Sequence, residues 1–475
     1  MPRTPKADEP QVDKVSLVKG QIERYFANIH TFKHERLLRR NELERRLDAL
    51  GVPESERDWY YEQLNEKETL YTRKRRQRLT PEHFETISVI GRGAFGEVCV
   101  AREKSTGQIF AMKKLRKKDM IKRGQTNHVR TERDIMARGD ASRWLVRLFY
   151  SFQDATHLYL LMEYLPGGDM MTLLIRCDVL SEDTTRFYMA EAVLAIEAVH
   201  KLQFMHRDIK PDNFIFDSQG HLHLSDFGLA SHGLATQQLE EMGVNVSNGM
   251  VGGEGEGEAT PQAQRKTWKT RRMRAFSRVG TPDYIAPEVL RNPPGGYGRG
   301  TDWWGLGVIL YECLVGYPPF CSTTPMATCR KIANWKRTLQ FPPESNLSAE
   351  AKGLICALLT SAEDRPKVDE IKAHPFFAGV DWNRIQDYEP PFVPDLTGPA
   401  DTRYFDKFDS LPQAPMHTPR LRDDEWKRRQ QDFQFVGYTF RRFRGTDILS
   451  PQAGGGASQR TALSTDFFNP PAEVN

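Results

Sequence analysis

The stretch Gly91-Arg92-Gly93-Ala94-Phe95-Gly96 lies between two short runs, residues 86–90 and 98–101, that have the composition and alternation of β-strands. Glycine frees the backbone to approach an anion and to aim peptide N–H groups at its oxygens. Three glycines so spaced also open dinucleotide-binding domains, where a helix must follow the last of them. Here Glu97 and Val98 lead into another strand instead. That order narrows the fold: a phosphate-cradling loop sits between two strands of a β-rich unit.

Further strand-like runs occupy residues 109–112, 148–152 and 158–162, with a helical pattern at 128–137. From about residue 170 to 377 the spacing is mainly helical. A small β-rich unit followed by a larger helical one predicts an α+β, two-lobed domain over residues 84–377. Residues 12–83 read as a helical region ahead of it. Val18, Ile22, Tyr25, Phe26, Ile29, Leu43, Leu47 and Leu50 keep helical spacing, and Gly51 with Pro53 ends that helix. A second helix runs past Trp59 and Leu64 into the basic run Arg73-Lys74-Arg75-Arg76-Gln77-Arg78. Two such helices bury little apolar area alone, so they need either a partner or the domain that follows. Residues 378–445, rich in proline and aromatic side chains, read as an extended segment wrapped on the body. Residues 1–11 and 446–475 read as disordered.

Lys plus Arg (67) against Asp plus Glu (63) leaves a net charge of +4 over 475 residues, too little to imply a nucleic-acid partner. Residues 1–80 alone carry 18 basic and 14 acidic side chains, an excess equal to the whole net charge. The six cysteines include no Cys-x-x-Cys pair, so neither a zinc knuckle nor a redox motif is indicated. They read as reduced thiols, which with the lack of an apolar signal core or membrane span predicts a cytoplasmic or nuclear protein.

The chemistry concentrates in His206-Arg207-Asp208-Ile209-Lys210-Pro211-Asp212-Asn213. Asp208 and Asn213, five apart, suit phosphoryl transfer: a carboxylate takes the proton of an attacking hydroxyl and an amide oxygen completes a magnesium shell. Lys113, in Ala111-Met112-Lys113 on the third strand, can reach phosphates, and Glu132 on the next helix is placed to pair with it. Lys114 alternates to the opposite face. Asp226-Phe227-Gly228 follows Asp208 by 18 residues and supplies a second magnesium ligand. Ala286-Pro287-Glu288, Asp302-Trp303-Trp304-Gly305 and Arg365 come after, with Arg365 a candidate buried partner for Glu288.

In this order the motifs resemble a eukaryotic protein kinase catalytic domain over residues 84–377. Lys210 and Gly280-Thr281-Pro282-Asp283-Tyr284 resemble the serine/threonine class. The resemblance implies ATP and Mg2+ as cofactors. It implies catalytic roles for Asp208, Lys210, Asn213, Lys113 and Glu132, and magnesium on Asn213 and Asp226. Nucleotide contacts would come from Ile90, Gly91, Arg92, Gly93, Ala94, Phe95, Gly96, Glu97, Val98, Lys113, Met162, Glu163, Asp169 and Asp226. The hinge Met162-Glu163-Tyr164-Leu165-Pro166-Gly167-Gly168-Asp169-Met170-Met171 is similar to the AGC group. So are Phe405-Asp406-Lys407-Phe408 and the hydrophobic motif Phe435-Val436-Gly437-Tyr438-Thr439-Phe440.

Within residues 229–285, a Gly/Glu-rich loop at 252–258 precedes a basic insert, and residues 265–278 hold seven basic and no acidic side chains. A long activation segment of this kind resembles the NDR/LATS kinases, closer to the NDR branch, although the Gly/Glu-rich loop departs from them. That resemblance implies phosphorylation at Ser277 and Thr439, the latter by an upstream kinase. It also implies a Mob-type coactivator bound through residues 12–83, with a hairpin packed on its own domain as the rival. The basic insert is either autoinhibitory, or solvated, or a dock for an acidic partner. Asp169 and Asp212 resemble positions that select basic protein substrates. A scaffold with secondary catalysis is the alternative class, which the complete catalytic set disfavours.

Overall fold

The computed structural model describes residues 14–93, 96–138, 142–227, 265, 268, 282–291, 296–406, 408, 435 and 437–442. They fall in two compact units, one of residues 1–81, 150–158 and 415–475, the other of residues 82–149 and 159–414. Among the described residues no helix is long and apolar enough to cross a membrane.

In the first unit, α1 (Lys14–Ala49) and α2 (Glu54–Arg76) form a hairpin. Gly51, at φ 63°, makes the left-handed turn between them, and the Val52 N–H closes it on the Leu47 carbonyl. Leu43, Leu47 and Leu64 are its buried core, with Val52, Tyr60 and Tyr61 packed around them. A buried ion pair, Arg39 Nε to Glu68 Oε1 at 2.7 Å, crosses between the helices. Phe26, Leu37, Leu50, Trp59 and Leu70 are exposed.

Residues of the tail complete this unit. β4 (Leu148–Gln153) lends it Tyr150 and Ser151, which pair antiparallel with β8 (Phe440–Arg441). Phe435 and Tyr438 are fully buried. Their carbonyls accept from Gln153 Nε2 at 2.9 Å and from Ser151 Oγ at 2.6 Å. Tyr71 of α2, stacked on Phe32, donates its hydroxyl to the Arg441 carbonyl at 2.9 Å.

The second unit opens with β1 (Phe84–Gly93), β2 (Gly96–Glu103) and β3 (Ile109–Arg116), paired antiparallel in that order. Both strands run into the glycine loop, so that Gly93 faces Gly96 across the hairpin. A side chain at Gly96 would put Cβ 1.8 Å from the Lys114 carbonyl oxygen, which makes glycine obligatory there. Two helices follow, α3 (Lys117–Lys122) and α4 (Thr126–Arg138), and β5 (His157–Glu163) leads to the hinge.

The helical part holds α5 (Met170–Cys177), α6 (Glu182–Lys201), α7 (Pro287–Arg291), α8 (Gly300–Val315), α9 (Pro325–Ala333) and α10 (Ala349–Leu358). Asp169 and Ser181 cap α5 and α6 with side-chain oxygens, the usual satisfaction of free N-terminal N–H groups. α8 is buried from Thr301 to its end at Val315. A short hairpin that strand periodicity did not announce, β6 (Phe214–Phe216) with β7 (Leu222–Leu224), interrupts the helices.

Candidate active site

The β6–β7 hairpin explains how the two ends of the site meet. Asn213 immediately precedes β6 and Ser225 immediately follows β7. Ser225 donates its N–H and its hydroxyl to the Asn213 carbonyl, at 2.8 and 3.0 Å. Asp226 is therefore carried to the catalytic loop, although 12 residues separate it from Asn213 in the sequence.

Lys113 lies opposite Val98 in the β2–β3 ladder. Its Nζ is 2.6 Å from Glu132 Oε1 and 3.0 Å from Asp226 Oδ1. Glu132 reaches it because Val129, Glu132, Ile135 and Met136 form the buried side of α4, spaced three to four apart. Burial opposes the lysine charge, but Asp226 and Glu132 raise its pKa above the ordinary lysine range. Lys113 in turn holds the Asp226 carboxyl well below the usual carboxylate range, against the effect of burial. Burial pushes Glu132 up, and Lys113 offsets part of that. Lys114 and Glu97 pair with each other at 3.6 Å on the other face of the strands. Glu97 thus stands apart from the group around Lys113.

In the catalytic loop, Lys210 Nζ is 2.6 Å from Asp208 Oδ2. Asn213 Nδ2 donates to the Asp208 carbonyl at 2.6 Å and to Asp208 Oδ2 at 3.2 Å. With its amino group so engaged, the Asn213 amide oxygen is the end left to act as a ligand. Burial disfavours the Lys210 charge, but Asp208 and Asp212 more than restore it and raise its pKa.

The loop is tied down by a residue to which sequence reasoning gave no role. Asp302, buried at the start of α8, accepts from the backbone N–H of His206 at 2.9 Å and of Arg207 at 2.7 Å. His200 Nε2 donates to it at 2.8 Å. Burial alone would raise the Asp302 pKa; the His200 bond and these neighbours hold it below the ordinary value. α8 approaches the loop because Gly305 has no side chain: a Cβ there would be 2.8 Å from Ile209. His206 Nε2 donates to the Ser225 carbonyl at 2.9 Å, which fixes the proton on that nitrogen because a carbonyl can only accept. The fully buried Phe227 packs edge-on against the His206 ring. Arg207 (φ 67°) and Asp226 (φ 57°) both adopt left-handed backbone, a sparsely populated state that surrounding bonds must hold.

Two further anchors involve α7 and α8. Arg365 forms a fork with Glu288, Nη1–Oε1 2.7 Å and Nη2–Oε2 3.3 Å, the pairing expected from the sequence. The buried Glu312 accepts from Trp268 Nε1 at 3.0 Å and from the Tyr284 hydroxyl at 2.5 Å. Trp268 belongs to the basic insert and is itself buried. Arg265, from the same insert, is ion-paired with Asp178. A lone carboxylate within the apolar run of α8 was the signal that could have revealed this contact.

At the hinge, Glu163 is bridged to Arg147 at 2.9 Å. Asp169 caps α5, and burial together with Asp212 and Asp406 pushes its carboxyl up to about 7. Thr439 is exposed in the first unit, between the buried Tyr438 and the paired Phe440. Ala94, Phe95, Gly228, Ser277, Thr281, the Gly/Glu-rich loop and most of the basic insert lie outside the described residues.

The donor set fits a magnesium–nucleotide: one lysine held between two carboxylates, one of them half-exposed, with an amide oxygen from the adjoining loop. Among the described residues no three His, Cys, Asp or Glu side chains converge as a metal site. Magnesium held by one or two carboxylates and by phosphates needs no such group.

A family model, the protein kinase domain, matches residues 84–250 and 259–377. The serine/threonine-protein kinases CBK1 of Candida glabrata and Saccharomyces cerevisiae are each 45% identical over 91% of this chain. That of Yarrowia lipolytica is 44% identical over 93% of it. The chain spans 60% and 62% of the length of the first two relatives and 77% of the third. The chain belongs to the protein kinase family and, within it, to the NDR/LATS branch of the AGC serine/threonine kinases.

Proposed function

We propose that this chain transfers the γ-phosphoryl group of ATP to serine and threonine hydroxyls of proteins, in the cytoplasm or nucleus. The observation that carries the reading is Lys113 bridging Glu132 and Asp226 beside the Asp208–Asn213 loop. Asp208 orients the substrate hydroxyl and takes its proton as the oxygen bonds to phosphorus and the bond to ADP breaks. Lys210 steadies the charge that gathers next to Asp208. Lys113 holds the phosphates, and Glu132 keeps Lys113 in place. Asn213 and Asp226 would hold magnesium, which when bound neutralises charge on the phosphates. Asp302 positions the loop through its backbone and takes no part in proton transfer. The test is nucleotide binding: ATP affinity should rise on adding Mg2+, and Asp226→Asn should lose most of that gain. Wild-type affinity indifferent to Mg2+ would contradict the site.

Regulation is part of the same proposal. Arg207 receives phosphate on Ser277, and an upstream kinase modifies Thr439, which is exposed and flanked by anchored residues. A Mob-type coactivator covers the outward apolar side chains of α1 and α2, Leu37 and Trp59 among them. Basic side chains near the substrate hydroxyl are recognised by Asp169 and Asp212.

The insert is autoinhibitory, and the burial of Trp268 on Glu312 supports a seated segment rather than a solvated one. A hydrogen bond to a charged group is worth about 1.5–3 kcal/mol, so its loss should shift the seated and released populations by roughly tenfold or more. Basal peptide phosphorylation by the full chain should therefore rise about tenfold in Trp268→Ala. Unchanged or lower basal activity would leave the insert a passive one.

A further inference from the structure

We infer that Arg147 is a positioning residue for the nucleotide: through Glu163 it ties the hinge to β7, the strand that delivers Asp226, an inference that rests on the proposed ATP-binding role. Arg147 stands just before β4, and Glu163 is the last residue of β5. Backbone and side chain both join them. The Glu163 N–H donates to the Arg147 carbonyl at 3.0 Å, and the Arg147 N–H donates to Glu163 Oε1 at 2.8 Å. The guanidinium closes on Glu163 Oε2, with Nε at 3.0 Å and Nη2 at 2.9 Å. With its N–H spent on Arg147, Glu163 keeps its carbonyl as the backbone group that a base can meet. On the other side of Arg147, the Val146 N–H donates to the Leu224 carbonyl at 3.0 Å, and the Leu224 N–H donates to the Trp144 carbonyl at 2.8 Å. Leu224 ends β7, and only Ser225 stands between it and Asp226. One short track of hydrogen bonds therefore connects the base end of the site with its metal end.

A second basic side chain lies near Glu163 but does not hold it. Leu222 and Leu224 are buried, so alternation along β7 turns His223 to the opposite face, toward Glu163. There its Nε2 donates to Asp217 Oδ2 at 3.3 Å, which leaves Nδ1 a bare acceptor in the neutral ring. That nitrogen is 3.9 Å from Glu163 Oε1 and has no hydrogen-bond partner among the described residues. A lone pair facing a carboxylate holds nothing. The Glu163 side chain is only 10% exposed, so without Arg147 its charge would be largely desolvated and without a fixed cation. It would turn toward water and take the hinge carbonyl with it. Lys113, Asp208 and Asn213 would keep their own contacts, so the loss falls on nucleotide binding rather than on transfer.

The test is steady-state kinetics of the full chain with Mg2+, varying ATP at a fixed basic serine peptide and then the reverse. Arg147→Ala should raise KM for ATP by roughly three- to tenfold, the range of a partly exposed charge-assisted contact, with kcat and KM for the peptide within about twofold of wild type. Arg147→Lys keeps the charge and loses the second nitrogen, so its KM for ATP should fall between the two. Glu163→Gln combined with Arg147→Ala should raise KM for ATP no further than the worse single variant, as two halves of one contact do. The Arg147 side chain is 48% exposed, so its variants should fold and melt as wild type does. A merely structural role would instead lower kcat and the melting temperature and leave KM for ATP in place, and that result would overturn the inference. So would a KM for ATP within about twofold of wild type in Arg147→Ala, or a double variant whose effect is the product of the two. These outcomes leave the nucleotide site intact. A wild-type rate that does not saturate with ATP would overturn the nucleotide site and the tie with it.

Discussion

The full-length chain carrying Asp208→Asn is expected to fold, bind Mg2+-ATP and transfer phosphate about 10³-fold more slowly than wild type, within the 10²–10⁴ range of a lost general base. The asparagine keeps an acceptor oxygen for Lys210 and Asn213, whose contacts at 2.6 and 3.2 Å end on Asp208 Oδ2. Geometry is therefore preserved while the proton acceptor is lost. Steady-state kinetics on a basic serine peptide, with nucleotide affinity measured in parallel, separates the two. A variant within about tenfold of wild type would mean that Asp208 neither deprotonates nor orients the hydroxyl.

The second large effect is on stability. Arg365, fully buried as a side chain, donates to Glu288 and to the carbonyls of Leu358 (3.1 Å), Gly300 (2.6 Å) and Thr360 (2.9 Å). Methionine of similar reach would leave Glu288 without its cation and take a donor from each of three carbonyls. Breaking one side of such a buried pair costs about 3–5 kcal/mol, which should lower the melting temperature by roughly 6–15 °C. Arg365→Lys should recover only part of this, since an ammonium cannot make the fork. Thermal unfolding of the three proteins in one buffer checks it. A shift for Arg365→Met below about 2 °C would show that the fork contributes little.

Much of this arrangement was legible in the residues. The pairing of Lys113 with Glu132 follows from alternation on one strand and three-to-four spacing on one helix, both local patterns. The fork of Glu288 with Arg365 was legible as opposite charges in a domain whose other parts had been placed. What could not be read lies in contacts between distant segments. Asp302 serves the backbone of His206 and Arg207, and nothing in the sequence spacing marks a carboxylate as an acceptor for N–H groups 95 and 96 residues away. The three-residue strands of the β6–β7 hairpin are too short for any periodicity to register. Trp268 on Glu312 was hidden because the insert reads as a charge run, and its buried contact is made by the aromatic side chain inside that run. Equal helical spacing concealed unequal burial: Leu43 and Leu47 of α1 are core, whereas Leu50, just past the end of α1, is exposed because the chain turns at Gly51.

The central claim is phosphoryl transfer to aliphatic hydroxyls, and the most direct measurement identifies the atom that receives the phosphate. The full chain would be incubated with Mg2+, ATP labelled at the γ-phosphate and a mixture of basic serine, threonine and tyrosine peptides, then hydrolysed and its phosphoamino acids separated. Label on phosphoserine and phosphothreonine, lost in Asp208→Asn, is the result expected from Lys113, Asp208, Asn213 and Asp226 as placed. Label recovered only as inorganic phosphate, or on tyrosine, would contradict it.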